Sequence, residues 1–226
     1  MTIYFLGLKT LQKNFKYNKN KSLFQQGGLS MYELQAHERI FVFTGPYGAG
    51  RKTVADMVGE TLGMQRVIPY TTRPRRSVEV DGQDYHFVSP EQFAQMKAND
   101  VFIETIELDH IMYGIKESDI EHDLQKSGVI YLILNHYGAD ALKRLYGDKV
   151  IRICIHTDPD TIMKKQRTRG YSDEVIRRHL KYYEKENAYK SQCEHCFANN
   201  ELAHTVFAVS ETIEPYLGRN LMPDYQ

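Results

Sequence analysis

From Arg39 onward the chain alternates short apolar runs with longer stretches of helical period. Residues 40–43, 129–134, 150–155 and 205–209 are nearly unbroken in apolar or β-branched side chains. Such runs suit strands covered on both faces. Between them lie helix openings with recognisable caps. Ser89-Pro90-Glu91-Gln92 places a capping serine, a proline at the first helical position and a glutamine at the third, and predicts a helix to about Lys97. Residues 116–127 read as a helix stopped by Gly128. Asp158-Pro159-Asp160 and Ser172-Asp173-Glu174 open two more, each with acids at its positive end. Strand–helix alternation predicts an α/β fold with a parallel sheet and right-handed crossovers. Residues 81–108 break the rhythm. Asp81-Gly82 signals a turn, and strand-like 85–88 and 101–108 flank the Ser89 helix, which predicts a small inserted lobe.

Ahead of this pattern, residues 1–30 carry Lys9, Lys13, Lys16, Lys19 and Lys21, no acid, and no clear period. They are expected to be a disordered leader. Gly27-Gly28 stands just before Met31, as a ribosome-binding site read through into protein would, so residues 31–226 are expected to form the domain proper.

Composition narrows the class of function. The 226 residues balance 29 basic against 29 acidic side chains, with 42% hydrophobic residues. Zero net charge argues against a general nucleic-acid or membrane-surface binder, and no apolar run approaches the roughly 20 residues of a membrane span. Three cysteines without a secretory leader predict free thiols in a reducing compartment, by default the cytoplasm.

Chemistry first appears at Gly45-Pro46-Tyr47-Gly48-Ala49-Gly50-Arg51-Lys52-Thr53, between an apolar strand and an opening helix. Glycines let backbone N–H groups converge on a phosphate, and the helix N-terminus adds partial positive charge. The general pattern ends G-K-[ST], with lysine on the phosphates and the hydroxyl on magnesium. Arg51 stands at the lysine position, Lys52 at the hydroxyl position, and Thr53 one residue later, a tentative metal ligand.

Further on, Tyr70-Thr71-Thr72-Arg73-Pro74-Arg75-Arg76 is followed by Glu79-Val80-Asp81-Gly82-Gln83-Asp84-Tyr85-His86-Phe87-Val88, then by Phe102-Ile103-Glu104 and Tyr113-Gly114. This segment resembles the T-T-R-x-x-R-x-x-E-x-x-G-x-D-Y-x-F signature of the guanylate kinase family, and the resemblance extends over about residues 38–213. It implies a P-loop nucleoside monophosphate kinase fold: a parallel sheet core, an inserted GMP-binding lobe over roughly 70–115, and a lid over roughly 160–182. It implies transfer of the γ-phosphate of ATP to GMP, with Mg2+ on the donor phosphates. By the same resemblance Arg73, Arg76, Tyr85 and Tyr113 serve the acceptor phosphate, Glu104 the guanine edge, Glu79 belongs to the GMP-binding set, and residues 45–53 serve ATP. Guanidinium forks suit bidentate phosphate binding.

A third element is the basic stretch 164–181, with seven Lys or Arg against two acids. It resembles the family's lid, and Arg167 and Arg169 before Gly170 match its catalytic arginines, alongside Arg51. Some positions depart from the family pattern. Ile133 and Asn135 stand where it has two aspartates, Pro69 and Ile115 where it has serines, and His179 where it has an arginine. Two readings stay open at this point: a divergent ATP:GMP kinase, monomer or homodimer, or a binding module that keeps the phosphate pocket for GMP or a phosphorylated partner. Cys193-Glu194-His195-Cys196 lacks a second ligand pair at zinc spacing and reads as free thiols. No Ser or Cys forms a nucleophile pair with histidine, and in-line phosphoryl transfer needs none.

Overall fold

The computed structural model describes residues 32–218, so the leader and the Met31 start lie outside the described residues. A five-stranded sheet forms the core. Its strands in chain order are β1 (Arg39–Thr44), β2 (Gln65–Arg66), β7 (Val129–Ile133), β8 (Val150–His156) and β9 (His195–Ala198), arranged β2-β7-β1-β8-β9 and parallel throughout. β1 is the central strand, with Ile40 opposite Ile130 on one side and Val150 on the other. Successive side chains of a strand face opposite sides, and β1 separates them accordingly. Ile40 and Val42 enter a core with Ile130, Leu132 and the helices α3 (Glu117–Ser127) and α4 (His136–Tyr146). Phe41 and Phe43 enter a second core with α1 (Arg51–Leu62) and α8 (Leu202–Ile213). Both faces are covered, which is why the strand runs are apolar without alternation.

The break at 81–108 is a second, four-stranded sheet of order β4-β3-β6-β5. It comprises β3 (Tyr70–Thr71), β4 (His86–Phe87), β5 (Phe102–Leu108) and β6 (Ile111–Lys116), with α2 (Pro90–Ala98) packed on it through the Phe93–Phe102 stack at 4.5 Å. The capping box of α2 forms in full: Ser89 accepts from Gln92 N–H while the Gln92 side chain accepts from Ser89 N–H. A two-residue turn with Asp109 and His110 both at positive φ joins β5 to β6. The remaining helices are α5 (Pro159–Thr168), α6 (Asp173–Leu180) and α7 (Tyr183–Ala188), the first two capped by Asp158 and Ser172 as their sequences predict.

One expectation is overturned. Residues 205–209 belong to helix α8, not to a strand. Its buried residues Thr205, Val209 and Ile213 recur every four positions, a helical period that a five-residue apolar window cannot reveal. The fifth strand is instead β9, half-exposed at the sheet edge and carrying His195 and Cys196, a polarity that masks it in the sequence.

The close approach of α1 to the sheet yields a test. A Cβ on Gly59 would stand 2.4 Å from Tyr131 Cε1. That ring cannot retreat, because its hydroxyl donates to Asp56 at 3.0 Å and Phe43 meets it edge-on at 6.0 Å. Alanine favours a helix over glycine by about 1 kcal/mol, while overpacking costs about 1–3 kcal/mol. Gly59→Ala should therefore lower the midpoint of denaturant unfolding; a raised midpoint would show that the ring yields.

Candidate active site

Strand order reverses around β1, whose chain successors lie to one side and then the other, and the loop after β1 sits at that switch point. The loop's shape is dictated by contact with β8. Gly45 has φ 120°, and a Cβ there would fall 2.1 Å from the Ile155 carbonyl oxygen. At the far end Gly50, φ 92°, begins α1, and a Cβ would fall 2.4 Å from Asn199 Nδ2. That amide donates to the Ala49 carbonyl at 2.8 Å, while Asn199 N–H donates to His156 O at 2.7 Å.

The N-terminus of α1 has no side-chain cap and no acid in its first turn. Its first two residues are Arg51 and Lys52, cations at the positive end of the helix dipole. The arrangement opposes the usual preference and is relieved by an anion on the open N–H groups. Arg51 Nη1 donates to Leu134 O at 3.1 Å, just past the end of β7. Lys52 Nζ lies 2.7 Å from Asp56 and 3.5 Å from Asp84. Magnesium does not fit this position. Lys52 stands where the pattern has the hydroxyl ligand, and its ammonium ion already pairs with the nearby carboxylates of Asp56 and Asp84. Thr53 is exposed one step further round the helix, about 100° away.

The second sheet brings a charged cluster to the loop. Arg73 forms a two-pronged pair with Glu79, Nη2–Oε1 2.7 Å and Nη1–Oε2 3.0 Å. Glu79 Oε2 also accepts from Arg76 N–H at 2.8 Å. Burial acts to raise the Glu79 carboxyl, but the Arg73 fork and the Arg76 amide outweigh it and hold the group below its ordinary value. Of the five N–H donors of a guanidinium, Arg73 spends three, on Glu79 twice and on Pro74 O, which leaves two. Its plane lies 5.5 Å from the Tyr85 ring, and Tyr85 lies 6.0 Å from Tyr113. Burial raises the Tyr113 hydroxyl pKa, so it stays a neutral donor. Glu104 is half-buried on β5, opposite Ile115 of β6.

Tyr47 joins loop, lobe and lid. Its hydroxyl accepts from Arg76 Nη1 at 2.7 Å, and its ring packs on His179 of α6 at 4.1 Å. His179 Nδ1 shares a hydrogen bond with Gln166 Oε1 of α5 at 2.7 Å, and Tyr171 meets the imidazole edge-on at 5.6 Å. The hairpin tip of the second sheet closes the far side, with Asp109 accepting from Tyr182 OH at 2.7 Å and Lys181 Nζ at 3.2 Å. Arg167 and Arg169 are exposed, and Arg167 pairs with Asp173 at 3.0 Å.

The fold thus gathers the loop 45–53, Arg73, Arg76, Glu79, Tyr85 and Tyr113 into one cluster, whereas Arg167 and Arg169 stay exposed and are not brought into it. Reading the sequence missed two contributors. Asn199 follows an unrecognised strand, so nothing marked it. Gln166 is buried, its Nε2 lacks a partner, and that nitrogen stands 2.8 Å from where a Gly48 Cβ would be, aimed at the loop. Its signal is only that an uncharged side chain interrupts a basic run. His179 carries a titration test. Burial, then Arg76 and Arg178, lower its pKa to about 4. The folded value lies below the ordinary one, so protonation between about pH 6.5 and 4 favours the unfolded chain, and stability falls as pH drops through that window. The His179 imidazole signals in a proton NMR titration should stay unshifted down to pH 5; a midpoint near 6.5 would refute the neutral clamp.

A family model described as guanylate kinase matches residues 37–216. The guanylate kinase of Fusobacterium nucleatum is 31% identical over 164 residues, covering 72% of this chain and 89% of that protein. That of Salinibacter ruber is 34% identical, covering 77% and 93%. A crystal structure of guanylate kinase from Anaplasma phagocytophilum superposes with a TM-score of 0.64 at 24% identity, covering 81% of this chain and 88% of that one, and shares the fold. With its phosphate loop, arginine-bearing second sheet and lid in that arrangement, the chain belongs to the guanylate kinase family.

Proposed function

We propose that this chain transfers the γ-phosphate of ATP to the phosphate of GMP, giving ADP and GDP. The observation that carries the reading is the Arg76–Tyr47 hydrogen bond at 2.7 Å, which sets the arginine pair of the second sheet against the phosphate loop. Two polyanions that must react repel each other, and an enzyme for this reaction needs a cationic wall on each side of the bond being made. The loop N–H groups with Arg51 and Lys52 form one wall. Arg73 and Arg76 form the other.

In this mechanism ATP lies along residues 45–53, with its phosphates on the open N-terminus of α1; magnesium entering with the nucleotide would supply further positive charge to those phosphates. Arg51 takes the place of the usual lysine, and its planar fork, braced on Leu134 O, meets phosphate oxygens. The two remaining Arg73 donors, Arg76, and the Tyr85 and Tyr113 hydroxyls hold the GMP phosphate. Glu79 acts through the arginines that it orients. Glu104 accepts hydrogen bonds from guanine N1 and N2, an edge that adenine lacks. One acceptor oxygen attacks the γ-phosphorus as the bond to the ADP oxygen breaks, with no enzyme-bound intermediate. Arg167 and Arg169 turn inward over the transferring group when nucleotides displace Arg167 from its exposed pair with Asp173. Gln166 Nε2 adds a donor at the loop. The lid excludes water, the competing acceptor.

A coupled ADP-release assay with ATP, magnesium and GMP should show turnover dependent on GMP; none above background, with GMP still bound, would refute the reaction. In the same assay Glu104→Gln should raise the KM for GMP by about tenfold or more, since an amide N–H then faces a guanine donor. An unchanged preference for GMP over AMP would remove Glu104 from base recognition.

A further inference from the structure

All three cysteines of the chain converge on one spot outside the nucleotide crevice. Cys154 is buried in β8, Cys193 is half-buried after the turn Tyr189–Gln192, and Cys196 is exposed on β9. Cys154 and Cys196 are register partners in adjacent parallel strands, so their side chains share a face. Cα atoms of neighbouring strands lie about 4.8 Å apart, inside the span of roughly 4.4–6.8 Å that a disulfide bridges. Cys193 Sγ donates to Tyr189 O at 3.6 Å, at the turn that leads into β9. Cys196 Sγ donates to Lys190 O at 3.0 Å, and Lys190 and Arg51 place positive charge near Cys154.

We propose that Cys154 and Cys196 form a reversible disulfide, by exchange with a small-molecule disulfide, that weakens ATP binding. The inference rests on the kinase reading for its consequence and not for its chemistry. The exposed Cys196 thiolate attacks the reagent RSSR, forming a Cys196–SR bond and releasing one RSH. The Cys154 thiolate then attacks the Cys196 sulfur and expels the second RSH. Two protein thiols lose two hydrogens and two electrons, and the reagent gains them. Cys154 is buried and Cys196 exposed, so the reagent enters the pair at Cys196.

The bond reaches the nucleotide site by a short path. Cys154 is the register partner of Thr44, the residue before Gly45. Three residues past Cys196, Asn199 binds His156 O and the Ala49 carbonyl of the phosphate loop. A bridge that draws β9 toward β8 at Cys196 shifts the strand end carrying Asn199, and there is no slack, since Asn199 Nδ2 already occupies the space a Gly50 side chain would need.

The test uses the reduced full chain incubated with oxidised glutathione. Trypsin then releases peptides 153–164 and 191–219, the second holding both Cys193 and Cys196. The expected product is these two peptides joined, persisting in Cys193→Ser and lost in Cys196→Ser. A loop closed within 191–219, or joined peptides in Cys196→Ser, would overturn the assignment. Neither result depends on kinase activity. Equilibrium ATP binding should weaken about fivefold or more on oxidation, as for a loop carbonyl that loses its buried donor. It should recover with dithiothreitol and be insensitive to glutathione in Cys196→Ser. A bridged protein that binds ATP as the reduced one does would overturn the coupling.

Discussion

The packing of Gly45 against the Ile155 carbonyl governs the active end of this molecule. No side chain fits in that gap, so the backbone leaves β1 in a left-handed conformation closed to other residues. The turn that follows folds back over the C-terminal edge of the sheet and delivers Gly50 to the start of α1. Strand β1 lies between β7 and β8 in fixed register, so the loop inherits the rigidity of a buried central strand. A phosphate site of converging N–H groups needs that rigidity, because such dipoles act only when they are held in place before the charge arrives.

Charge at the crevice is organised in pairs. Arg73 with Glu79, Arg76 with Tyr47, and Lys52 with Asp56 and Asp84 each hold a cation in position without fully using its donors. Half-buried guanidinium groups without partners would be costly. Partners that satisfied every N–H would leave nothing for substrate. The Arg73 fork lies between these limits, with two donors still available. Substitutions at the loop fit the same logic. With Lys52 in place of a hydroxyl, the protein sets a cation of its own at that position.

Much of this was legible in the sequence because the relevant signals are local. The capping box at Ser89, the glycine stop at Gly128 and the uninterrupted strands around Phe41 and Tyr131 each depend on a few adjacent residues. The grouping of Arg73, Arg76, Tyr85 and Tyr113 was also legible, since fixed spacing from Thr71 to Gly114 ties them to one small sheet. What escaped detection is what only packing decides. Helix α8 presents a five-residue apolar window that satisfies two periods at once, and β9 carries polar residues because it lies at an edge. Asn199 and Gln166 matter through neighbours 150 and 118 positions away, and neither residue type announces such a contact. The three cysteines looked unrelated for the same reason: the parallel pairing of β8 with β9 brings Cys154 to the other two.

The second sheet is fastened to the loop at two points, Tyr47–Arg76 and Lys52–Asp84. Two fastenings remove a rotation that one would leave free. The lobe thus meets the core at two places, the phosphate loop and the first turn of α1. In the proposed reaction Tyr47 belongs to the donor loop and Arg76 to the acceptor cluster. A nucleotide that rearranges one therefore alters the free energy of the other, and thermodynamic reciprocity requires the effect to be equal in both directions. Occupancy of either half of the crevice is, by that bond, information available to the other.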